Sequence, residues 1–106
     1  MTDWESEWVA PPEFQTALET FIRHPDQRQQ DVYHHLRYVL DDGLALEWVV
    51  KHDLFEGAVA QWSLFDLHRG QYLAGVDRPL PAADAVWGTY QLTHAGRTYR
   101  LRVQPQ

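Results

Sequence analysis

The 106-residue chain has no cysteine. That removes disulfides, thiolate metal centres, iron–sulfur clusters and cysteine nucleophiles together. Serine is nearly absent: Ser6 and Ser63 are the only two. Neither lies in a nucleophile elbow, and the sequence places no acid–base pair beside them. Lysine occurs once, at Lys51, and nine basic residues stand against 15 acids for a formal net charge of −6. The basic excess of a free-standing nucleic-acid binder is therefore missing, and nucleic acid is not expected as a partner. No apolar run approaches the roughly 20 residues of a membrane span, and the first residues lack the pattern of a cleaved secretory signal. The expectation is a cytoplasmic protein without membrane contact. Phosphate-binding glycine loops, dinucleotide fingerprints, and zinc-finger, EF-hand or metalloprotease spacings are also missing. No cofactor is expected.

Aromatic residues, in contrast, are plentiful, with five tryptophans, five tyrosines and four phenylalanines. Hydrophobic residues make up 44% and charged residues 23%, the balance of a soluble globular domain. The length suits a single domain spanning 1–106. Charge is uneven: residues 1–56 carry 12 acids and 4 bases, and residues 57–106 carry 3 acids and 5 bases. Such asymmetry can orient a partner, or a second copy, during encounter.

Local patterns divide the chain into one helix and a series of hairpins. Phe14, Leu18, Phe21 and Ile22 form one apolar helical stripe after Pro11-Pro12 and before Pro25. Residues 33–40 and 44–52 read as strands around Asp41-Asp42-Gly43, a turn in which aspartate bonds its own backbone. That register sets Leu40 opposite Leu44, Tyr38 opposite Leu46, Leu36 opposite Trp48, and Arg37 opposite Glu47. A helix over 26–40 is the competing assignment, because Val32, Leu36, Val39 and Leu40 also fit a helical stripe. Residues 58–67 and 71–76 flank a glycine-ended turn, pairing Leu64 with Ala74, Trp62 with Val76, and Asp66 with Tyr72. Residues 77–85 read as an irregular connection. A last hairpin, 86–93 with 98–104, pairs Leu92 with Tyr99 and Tyr90 with Leu101. The expected fold is α+β: an N-terminal helix packed on an antiparallel sheet of five or six strands built from sequential hairpins.

Three groups of residues are candidates for function. In the segment 1–10, a flexible or docking N-terminal stretch, Trp4 and Trp8 would share one side of a helical turn and fill a partner's groove. On the polar face of the last hairpin, Trp87 stands with Thr89, Gln91, Arg100 and Arg102, an arginine pair beside an indole that suits carboxylates or phosphates. The third group is His34 and His52, diagonal neighbours in the proposed register, with Asp53 beyond them. It would serve as a metal site or as an acid–base pair of an enzyme. The leading expectation is a small non-catalytic protein-interaction module. A metal- or small-ligand-binding domain built on His34 and His52 is the alternative. Pairing of two copies through an edge strand is compatible with both.

Overall fold

The computed structural model describes residues 3–10, 13–23, 32–40, 42–53 and 57–105. In chain order the elements are β1 (Asp3–Val9), α1 (Phe14–Arg23), β2 (Val32–Val39), β3 (Leu44–Asp53), β4 (Gly57–Asp66) and β5 (Gln71–Pro79). A 3₁₀ turn (Ala83–Val86), β6 (Gly88–His94) and β7 (Arg97–Gln104) complete them. The α+β expectation holds coarsely, as one helix and a mostly antiparallel set of strands among the described residues. No described helix is long and apolar enough to cross a membrane.

The strands do not form one sheet of five or six. They divide into a four-stranded antiparallel sheet, β2-β3-β4-β5, and a three-stranded sheet, β1-β7-β6. The division has a physical cause. A six-stranded sheet would present a broad apolar face, and a ten-residue helix about 15 Å long covers only part of it. Facing a second sheet buries the rest. Trp48, Trp62, Leu46 and Leu64 from one sheet accordingly share a core with Tyr90, Tyr99, Leu101 and Val103 from the other. Phe14 and Leu18 of α1 close the same core, with Ile22 packed against it. Between β5 and β6 the chain changes layers, where Pro79 has no N–H to continue a ladder. Leu80 and Val86 anchor the crossing in the core.

Within the hairpins most of the expected pairings are present. Leu36 faces Trp48, Arg37 faces Glu47 and Tyr38 faces Leu46, so residues 32–39 are a strand and not a helix. Leu64 faces Ala74, Trp62 faces Val76, Tyr90 faces Leu101 and Leu92 faces Tyr99. One pairing is displaced. An irregularity between Leu64 and Phe65 puts Tyr72 opposite Phe65 and leaves Asp66 opposite Gln71. Asp66 instead accepts the backbone N–H groups of His68 (2.9 Å) and Arg69 (3.1 Å), as turn aspartates do. Residues 77–79, read as connection, extend β5, and the connection itself contains the 3₁₀ turn.

The segment holding Trp4 and Trp8 is a strand, not a helical turn. A spacing of four fits one side of either element, but acids at positions 3, 5 and 7 give the period of two that belongs to a strand. β1 runs parallel to β7, with Trp4 beside Tyr99 and Trp8 beside Val103.

Arg78 fastens β5 to β6 across the gap between the sheets. Its guanidinium lies 3.9 Å from the Tyr90 ring centroid and donates to the carbonyls of Trp87 (3.1 Å) and Thr89 (2.8 Å). Burial pushes the Tyr90 phenol above its ordinary pKa against the opposing pull of Arg78, and its hydroxyl donates to the Val86 carbonyl at 2.7 Å. Replacing Arg78 with methionine is expected to lower the unfolding free energy by about 2–3 kcal/mol in urea titrations. Lysine there should recover less than half of that, because it lacks the planar fork. A second expectation concerns the β6–β7 turn, where Ala95 (φ 52°) and Gly96 (φ 78°) both take left-handed conformations. Two-residue turns of this kind favour Asn-Gly, so Ala95→Asn should stabilise the fold by about 0.5–1 kcal/mol, read from the same titration.

Candidate functional site

The outer face of β1-β7-β6 is built by alternation. Leu101 and Val103 point into the core, so Arg100 and Arg102 between them point away from it. Antiparallel pairing sets Gln91 beside Arg100 and Thr89 beside Arg102. The parallel neighbour β1 sets Glu7 on the other side of Arg102. The side chains follow this register. Arg100 Nε donates to Gln91 Oε1 at 2.8 Å, and Arg102 Nη1 lies 3.3 Å from Glu7 Oε2. Further along, the Thr93 and Thr98 hydroxyls are 3.1 Å apart.

Ser6, Glu7, Thr89, Gln91, Arg100 and Arg102 border an open depression of about 510 Å³. The Arg102 and Glu7 side chains keep 60% and 51% of their exposure, so water still solvates this pair. Such pairs are worth about 0–1 kcal/mol, and an incoming carboxylate can replace the internal one at little cost. The chemistry available here is recognition of a charged or hydrogen-bonding group.

Trp87 does not belong to this face. β6 starts at Gly88, whose φ of 125° is closed to ordinary side chains and redirects the chain at that point. Trp87 instead meets Phe14 at a tilt, with ring centroids 5.8 Å apart, and packs against the core. Trp8 is also occupied within the fold, half-buried with ring centroids 5.1 Å from both Phe14 and Trp48. The Trp4 side chain lies outside the described residues. Of the five residues singled out for partner binding, Arg100 and Arg102 stand together on one open surface.

The side chains of His34, His52 and Asp53 also lie outside the described residues. Their backbone register places His34 opposite Val50 as expected, with a shift between Val32 and His34. Among the described residues, no group of three or more histidines and acids gathers to hold a metal ion.

A second polar cluster lies on the outer face of the four-stranded sheet. Glu47 is 7% exposed, and its carboxylate lies 3.0 Å from Arg37 Nε and accepts the Tyr72 hydroxyl at 3.2 Å. Partial burial pushes the Tyr72 phenol above its ordinary pKa, and the charge and hydrogen bond of Glu47 add to the shift while Arg37 opposes it. The sequence pairs Arg37 with Glu47 but sets Tyr72 opposite Asp66, because the irregularity that brings it to Glu47 has no local signature.

Comparison with family models, curated proteins and solved structures finds no match to this chain. Arg102→Gln and Glu7→Gln are each expected to change stability by less than about 0.5 kcal/mol. Thermal and urea unfolding of the two variants checks this, and a small change makes them usable as probes of binding alone.

Proposed function

We propose that this domain is a non-catalytic protein-interaction module whose docking surface is the outer face of β1-β7-β6. The observation that carries the proposal is the side-by-side placement of Arg100 and Arg102 on an open polar depression. Gln91 orients the half-buried Arg100 guanidinium, and Glu7 orients that of Arg102, which keeps 60% of its exposure. Oriented guanidinium groups lose less freedom on binding, and their fork matches carboxylate geometry. Positions two apart on a strand repeat at about 7 Å, so the matching partner is an extended segment with acids at alternate positions.

Panning a displayed library of random peptides against the protein tests this. Peptides with Asp or Glu at alternate positions are the expected enrichment, lost against the Arg100→Gln/Arg102→Gln double variant. No enrichment, or enrichment that the double variant retains, would overturn the proposal.

A further inference from the structure

A notch of about 450 Å³ runs along β4 and β5 on the outer face of the four-stranded sheet, bordered by Gln61, Ser63, Tyr72, Gly75 and Asp77 among others. Its floor is low because Ser63 and Gly75 are cross-strand partners and both are small. A Cβ at Gly75 would lie 3.4 Å from the Ser63 Cβ and from the Trp62 carbonyl oxygen. The absence of a single methyl group therefore helps to keep the notch open.

The two walls differ in chemistry. One is the Tyr72 side chain, with the residue 62% exposed. Its hydroxyl is fixed on Glu47, and its ring meets Phe65 edge to face at 4.9 Å. The other wall is Asp77, whose Oδ1 accepts from Gln61 Nε2 at 3.0 Å. Gln61 is oriented in turn by Lys51, whose Nζ donates to its Oε1 at 3.3 Å. The lysine charge thus meets an amide oxygen rather than the carboxylate. Among the described residues no arginine or lysine forms an ion pair with Asp77. Arg78, its neighbour in sequence, reaches instead to the carbonyls of Trp87 and Thr89. The Glu47 carboxylate is already offset by Arg37.

The notch therefore combines an exposed aromatic ring, a hydroxyl-bearing floor and an oriented carboxylate without an internal cation. An arginine side chain laid along the notch meets all three: its guanidinium donates to the carboxylate, its thin stem crosses the low floor, and its apolar length packs on the ring. β5 is an edge strand, so a chain passing beside it can lower such a side chain onto this face. We propose that the notch is a binding site for an arginine side chain of a partner protein, separate from the surface that carries Arg100 and Arg102.

The probe is N-acetyl-arginine amide, titrated into ¹⁵N-labelled protein, with N-acetyl-citrulline amide as the uncharged isostere. Saturable shifts are expected at the amides of Ser63, Tyr72, Gly75 and Asp77, with citrulline binding roughly tenfold weaker. Asp77→Asn keeps an acceptor for Gln61 while removing the charge, and should weaken arginine binding roughly tenfold. Gly75→Ala, which shallows the floor, should weaken it as well, and Arg100→Gln/Arg102→Gln should leave it unchanged. Absence of saturable shifts would overturn the site. So would equal binding of citrulline, or shifts that Asp77→Asn leaves intact.

Discussion

The indole N–H of Trp62 donates to the carbonyl of Tyr99 at 3.1 Å in the buried interior. This bond joins β4 of one sheet to β7 of the other and fixes how the two layers face each other. Sliding the layers would strand a donor and an acceptor away from water, at a cost of about 1–3 kcal/mol. The contact of Trp48 with Tyr90, at 5.8 Å, and the seat of Arg78 on Tyr90 both depend on that alignment. With the inner faces committed to apolar packing, chemistry is displaced to the outer faces.

Those outer faces use a common device with opposite sign. On β7 an amide steers Arg100, and a carboxylate steers Arg102 in a pair exposed enough to exchange. On β5 a carboxylate is steered by an amide that a lysine holds in place. In both places a glutamine helps to fix the direction of a charged group. Small residues and tight registers then set how closely a guest can approach.

Much of the hairpin geometry was legible in the sequence, because turn chemistry and alternation are local and mutually checking. Arg37 opposite Glu47 and Leu92 opposite Tyr99 follow from counting outward from a turn. The partnership of β1 with β7 was not legible, since Glu7 and Arg102 are 95 residues apart and no turn relates them. Trp87 leaves the polar face that its sequence position suggests, because Gly88 interrupts a pattern that otherwise reads as continuous strand. The expected pairing of Tyr72 with Asp66 fails for a similar reason: one inserted residue in β5 moves Tyr72 beside Phe65 and Glu47. Alternation sets Arg100 and Arg102 on one polar face, but the acid beside Arg102 comes from a strand whose four-residue tryptophan spacing also fits a helical turn.

The parallel pairing of β1 with β7 bears on the order in which the molecule assembles. Hairpins close short loops and form early, whereas bringing β1 to β7 closes nearly the whole chain and is entropically the most demanding step. Before it occurs, β7 has an open backbone edge, and Arg102 lacks the carboxylate of Glu7. That edge is a template for adding strands from other chains, restrained mainly by its own positive charge. The arginines would thus guard an unfinished sheet against misassembly before they are available to hold a ligand on a finished one.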